Sequence, residues 1–248
     1  MAMENIFEQA GHRPWAIPSG SWVMAQQWRD LLFAHWPVPQ STLRPHIPSG
    51  LELDTFKGQA WLAVVPFLMH GVRLRYAPAV PGTSEFPELN LRTYVKRDSK
   101  PGVWFFSLDA ANSLAVTVAR AWFQLPYFRA RMRCEEQSGW MEYESERIHR
   151  GAPAAGFRGR YRGLGKTFQA KSGSLEHFLI ERYCLYSATT KGHLLRGEIH
   201  HPPWELQLAE AQIEDNTIAD QLISPLPAKP LLHFSRQQDV AAWAPQVV

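Results

Sequence analysis

Glu88-Leu89-Asn90-Leu91-Arg92-Thr93-Tyr94-Val95 alternates at period two: Leu89, Leu91, Thr93 and Val95 fall on one face, and Glu88, Asn90, Arg92 and Tyr94 on the other. Successive side chains of a strand point to opposite sides of a sheet, so this stretch predicts a strand with two chemically distinct faces. The polar face gathers a carboxylate, an amide, a guanidinium and a phenol. Two readings stand side by side. The four groups converge on a ligand in a sheet interior, or they look outward, with Glu88 and Arg92 paired in solvent.

Working outward, Val103 to Leu108 reads as an aromatic strand after a turn at Lys100-Pro101-Gly102. Asp109 then looks like the cap of a helix over Ala110 to Phe123, with Leu114, Val118 and Trp122 as its inward stripe and Pro126 beyond its end. Upstream, residues 51–68 predict a hairpin: Lys57-Gly58 turns the chain and Ala60 to Phe67 returns, with Pro66 marking an edge or a bulge. Downstream, residues 127–149 predict two strands turning at Gln137-Ser138-Gly139, and Phe157 to Ala170 another. A helix from Leu175 to about Arg182, capped by Ser174, precedes strands at Tyr183 to Ser187, Leu194 to His200 and Glu205 to Ile213. Trp22 to Phe33 fits neither period. Many strands and few helices predict a mainly β fold, an antiparallel barrel or sandwich with packed helices.

Composition narrows the classes of function. The 248 residues carry a formal charge of only +3, too weak a field to imply nucleic acid. The longest apolar run, Ala60 to Met69, is well short of the roughly 20 residues of a spanning helix and contains Pro66. No secretory pattern is visible at Met1 to Gln9, so the expected setting is cytoplasmic, with no membrane partner. Two cysteines, Cys134 and Cys184, make no disulfide framework and read as plain buried thiols. His200 and His201 are adjacent on a strand and point apart, so no metal site is expected, and no cofactor motif occurs. With 19 prolines spread evenly and no repeat, one domain over 1–248 is expected, with 1–18 and 237–248 as peripheral tails. Ten tryptophans suit a small-molecule pocket. A homo-oligomer is left open.

Longer strings carry a family resemblance. His35-Trp36-Pro37-Val38, Pro101 through Asp109, Glu181-Arg182-Tyr183-Cys184-Leu185-Tyr186 and Ile199-His200-His201-Pro202-Pro203-Trp204, with the Glu88–Val95 stretch, resemble the YqjF-like bacterial proteins of unknown function. More distantly, Leu43-Arg44-Pro45-His46-Ile47-Pro48 and Arg120 followed by Leu125-Pro126-Tyr127 are similar to acetoacetate decarboxylases. That resemblance implies a conical β-barrel around a buried apolar pocket, and Glu88 falls where those enzymes carry an active-site glutamate. Their imine-forming lysine falls at Tyr127 or Phe128, and a phenol cannot form an imine. Lys96 and Lys166 are the candidates to replace that lysine from another strand, against the reading of each as a solvated lysine.

The candidate catalytic residues are therefore Glu88, Arg120 and Tyr127, and the candidate ligand-binding residues are Asn90, Arg92 and Tyr94. Arg120 offers a fork for a carboxylate or else bonds carbonyls at a helix end. Tyr127 is a pocket acid or a core tyrosine with a backbone partner. The expected partner is a small, partly apolar organic molecule, with carboxylic acids among the candidates. Acid-base or lyase chemistry, binding alone, and a structural role without a pocket all remain open. Arg129, Arg131 and Arg133, with Arg158, Arg160 and Arg162, read as a solvated face.

Overall fold

The alternating stretch lies in strand β4 (Phe86–Arg97), which antiparallel pairing joins to β3 (Ala60–Leu74) on one side and β5 (Lys100–Ala110) on the other. The computed structural model describes residues 4–79, 84–227 and 229–248. The β4–β5 turn is Asp98-Ser99, with φ of 50° and 61°, the two left-handed residues of a tight hairpin. Pro101 and Gly102, expected in the turn, are paired strand residues opposite Lys96 and Val95. Gly102 is dictated by packing, since a Cβ there would lie 2.7 Å from the Cys184 carbonyl oxygen and sulfur.

The other strands are β1 (Met24–Val38), β2 (Glu52–Leu53), β6 (Tyr127–Gln137), β7 (Trp140–Arg147), β8 (Gly156–Phe168), β9 (Cys184–Ala188), β10 (Leu194–His200), β11 (Leu206–Asn216), β12 (Leu231–Ala242) and β13 (Gln246–Val247). The helices are α1 (Glu4–Phe7), α2 (Gln40–Leu43), α3 (Ser113–Trp122) and α4 (Leu175–Ile180). Pairing closes on itself by two routes. One circuit runs β4–β5–β9–β10–β12–β1–β3 and back to β4, and the other runs β4–β5–β6–β7–β8–β11–β12–β1–β3. The strands β12, β1, β3, β4 and β5 thus form a shared wall.

Each circuit has its own core. Leu89, Leu91 and Val95 turn into the second, packing with Tyr143, Phe157, Tyr161 and Phe234. The opposite faces of the shared wall send Phe33, Val65, Phe67 and Phe105 into the first, where Val116 and Phe123 from the α3 region and Leu179 from α4 join them. This explains why Trp22 to Phe33 resists a pattern reading. From Leu31 both sides are apolar, with Leu31 and Phe33 facing one core and Leu32 and Ala34 the other. Gln26, Gln27, Arg29 and Asp30 before them are half-buried on both sides, so neither period emerges. A bulge adds to this: β1–β3 pairing shifts register between Arg29 and Ala34, where Asp30 takes a φ of 52°. Pro66 lies opposite that irregularity, which a residue without an N–H favours, and the Tyr161 hydroxyl donates to the freed Asp30 carbonyl at 2.8 Å.

Several expectations need correction. Pairing is not wholly antiparallel, because β5 runs parallel to both β6 and β9, and the β5–β6 connection crosses over through α3. The 51–68 hairpin is not formed as such: Lys57-Gly58 does turn the chain, but β2 pairs with β4 at Lys96 and Val95. Asp109 caps nothing. It is a buried strand residue, and Asn112 receives the Leu114 N–H at the start of α3. Of the expected stripe on α3, Leu114 and Trp122 are exposed and the Val118 side chain lies outside the described residues, while Val116 faces inward. Apolar residues occupy two competing stripes there, and packing against β5 and β6 selects one. Neither end is a peripheral tail. The 237–248 stretch contains the buried Val240, Ala241 and Ala242 of β12, and Arg13 in the 1–18 stretch is buried against Glu198 at 3.2 Å.

Asp109 and Arg147 form a buried pair across the crossover, with Arg147 Nη2 to Asp109 Oδ1 at 2.7 Å and Nε within 3.1 Å of both oxygens. Asp109→Ala leaves a buried guanidinium without its partner and is expected to lower urea stability by about 3–5 kcal/mol. The double change Asp109→Leu with Arg147→Met restores most of that loss, and an equal loss in the double variant would contradict this account.

Candidate functional site

The polar face of β4 looks into the first circuit. A cavity of about 180 Å³ there is lined by Glu88, Asn90, Arg92 and Tyr127 amid Phe33, Val65, Phe67, Phe105, Leu108 and Trp204. Strand spacing places Glu88, Asn90 and Arg92 in a row along one wall, and β6 brings Tyr127 across from Glu88. The Tyr127 hydroxyl donates to Glu88 Oε2 at 3.0 Å. Tyr143 donates to the Glu88 backbone carbonyl at 2.7 Å, anchoring the strand at that residue from the other core.

Burial sets the protonation state. Glu88 is 2% exposed, and desolvation pushes its carboxyl up to about 8, although hydrogen bonds from Tyr127 and Asn90 pull the other way. It is therefore mostly a neutral acid at pH 7. Tyr127 is held well above the ordinary tyrosine range, first by burial and then by Glu88, so it stays a donor.

The charges around the cavity can be counted. Arg182 lines it but is matched to Asp54 at 2.7 Å, and Glu198 is matched to Arg13 and to Lys100 at 2.9 Å. His201 lines the cavity, and burial lowers its pKa, which keeps the ring neutral. Arg92 makes no ion pair among the described residues, and its Nε and the Asn90 Oδ1 are both buried without a hydrogen-bond partner there. With Glu88 protonated, the lining carries one surplus positive charge, on Arg92.

Not every sequence-predicted residue arrives at this place. Tyr94 shares the strand face but lies behind the lining, where its hydroxyl meets His35 Nε2 at 2.7 Å. Arg120 is exposed on α3, donates to the Tyr127 carbonyl at 2.6 Å, and faces a separate open cleft. Of its two readings, the helix-end arginine on a carbonyl matches this geometry. Lys96 pairs with Glu52 at the surface, Lys166 is exposed, and no lysine lines the cavity among the described residues. Arg182, His201 and Cys184 line it although none was a candidate for the ligand site; the signal for that was their place inside the longer strings above. The Cys184 thiol is pushed up to about 12 by burial, and so is the half-buried Cys134. Arg158, Arg160 and Arg162 pair outside with Glu214, Glu142 and Glu210. Among the described residues no three His, Cys, Asp or Glu side chains gather as metal ligands, and no helix is long and apolar enough to cross a membrane.

The architecture is that of the acetoacetate decarboxylase-like proteins. The chain superposes on acetoacetate decarboxylase from Legionella pneumophila with a TM-score of 0.63 at 10% identity, covering 98% of this chain and 94% of that one. The enduracididine biosynthesis enzyme MppR complexed with pyruvate gives 0.63 at 11% identity, covering 96% and 93%, and an acetoacetate decarboxylase-like enzyme from Sphingomonas wittichii RW1 gives 0.63 at 13%, covering 96% and 99%. In sequence, residues 25–239 match DUF2071, described as an uncharacterized conserved protein, and the chain belongs to that family. It is 48% identical over 229 residues to the uncharacterized protein YqjF of Bacillus subtilis, covering 92% of this chain and 93% of that one.

The Glu88 geometry has a thermodynamic signature. An unfolded glutamate loses its proton near 4.5 while the folded one keeps it to about 8, so the folded state binds more protons in between. This contribution to stability is complete below pH 4.5 and falls by about 1.4 kcal/mol per pH unit as pH rises towards 8. Glu88→Gln is expected to flatten that slope in urea titrations across the window. An unchanged slope would mean that Glu88 titrates normally.

Proposed function

We propose that this protein binds a small, partly apolar carboxylate inside a conical barrel formed by the first circuit, with the ligand anion on Arg92. The single observation that carries the reading is the surplus cation. A guanidinium in an apolar cavity without a counter-charge is costly, and a bound anion offsets that cost. The volume of about 180 Å³ lies below the roughly 300–1,000 Å³ of drug-sized pockets, which suits a metabolite-sized acid. The solved relative that holds pyruvate adds support from the same fold.

At the Glu88 end, Tyr127 and Asn90 donate to the carboxyl, and the carboxyl's own proton serves a ligand carbonyl or hydroxyl. A carboxyl with a pKa of about 8 also exchanges protons near neutral pH, which favours acid-base chemistry at a carbon beside that carbonyl as the catalytic form of this site. Without a lysine in the lining, the chemistry proceeds without an imine.

A thermal-shift panel of short carboxylates, their amides and their amines separates these statements. Carboxylates are expected to raise Tm, amides and amines are not, and Arg92→Gln removes the effect. Stabilisation by amines, or an undiminished shift in Arg92→Gln, would sink the anion reading. Carboxylate affinity is further expected to fall as pH rises past about 8, because ionised Glu88 then repels the ligand. Borohydride reduction in the presence of a keto acid leaves the intact mass unchanged, and a lysine adduct would restore the imine route.

A further inference from the structure

We propose that the open cleft beyond Phe105 and Leu125 is a second ligand site, for an aromatic carboxylate. Phe105 and Leu125 line both spaces and separate the cleft from the inner cavity. The cleft measures about 660 Å³, within the range that holds drug-sized molecules.

Local strand geometry builds it. β4–β5 pairing passes from Leu91 opposite Ser107 to Arg92 opposite Phe105, so Phe106 is an extra residue on β5. The bulge turns both Phe106 and Ser107 towards the cleft, beside Trp104. His46 meets Phe106 edge-on at 6.4 Å between ring centres, and Phe128, with the Arg147 guanidinium 4.2 Å from its ring centre, also lines the cleft. These rings offer flat apolar surface for a planar body.

The polar groups select the charge. Arg147 lines the cleft but is neutralised by Asp109, whereas Arg120 makes no ion pair among the described residues. One Arg120 nitrogen donates to the Tyr127 carbonyl at 2.6 Å, which fixes the guanidinium plane and leaves its other donors for an anion. Ser107, 4% exposed, presents a buried hydroxyl with no partner among the described residues. A pinned cation, an unpartnered hydroxyl and an aromatic lining fit a carboxylate carried on an aromatic ring. This inference does not depend on the inner-cavity reading, because the two sites use different arginines.

Isothermal titration of the full chain at pH 7 with indole-3-acetate, and with the neutral indole-3-acetamide, tests it. The acid is expected to bind at least about tenfold more tightly than the amide, and Arg120→Gln to erase that difference. Ser107→Val weakens acid binding by a smaller factor. The acid-to-amide comparison on the unaltered protein guards against a variant that fails to fold. Three results would overturn the proposal: no binding of the acid up to about 10 mM, equal binding of acid and amide, or loss of acid binding in Arg92→Gln while Arg120→Gln retains it. The last result assigns the molecule to the inner cavity.

Discussion

A strand buried on both sides must satisfy two environments at once, and β4 does so by giving each its own set of side chains. Its leucines complete the second core, and its polar residues line the cavity of the first. A slip of one residue in register would send Leu89 and Leu91 into the cavity and bury Glu88 and Arg92 in a packed apolar core. The desolvation cost of that exchange excludes it, so the same alternation fixes both pairing and the position of the polar groups. The neighbouring strands hold the register from either side, and Tyr143 ties the Glu88 carbonyl to the opposite core.

Charge is handled by the same logic of pairing. Buried guanidinium groups at positions 147 and 182 each have a carboxylate within 2.7 Å, and Glu198 gathers arginine and lysine around it. These pairs hold distant segments together. Arg92 stands apart because it has no ion-pair partner among the described residues, and Glu88, the carboxyl on the same strand face, is kept protonated by its surroundings. A buried charge without a counter-charge, in an interior whose other buried guanidinium groups are paired, is where a binding role is to be sought.

What the amino-acid sequence reveals depends on how local the cause is. Ser174 as a cap, the turn at Gln137-Ser138-Gly139 and the two faces of β4 follow from neighbouring residues, and each is found. Asp109 misleads because a carboxylate before a helix resembles a cap, while its real partner is 38 residues away. The stripe of α3 misleads because two apolar faces compete, and only packing chooses Val116. Strand β1 is opaque because it passes from a half-buried polar stretch into one buried on both faces, with a bulge between. At the site, resemblance places Glu88 and Tyr127 together and the structure puts them in hydrogen-bond contact, but Arg120 goes to the other side of Phe105 and Leu125. The match of Arg182 to Asp54, 128 positions apart, leaves no trace in local pattern.

The contact between Gly102 and Cys184 has a practical consequence. Where β5 and β9 press together there is no room for even one further carbon, and the sulfur at that seam gives up its proton only near pH 12. Such a thiol is silent to alkylating reagents while the strands stay joined. Its rate of carboxymethylation, read by peptide mass, thus becomes an internal clock for how often the two strands part.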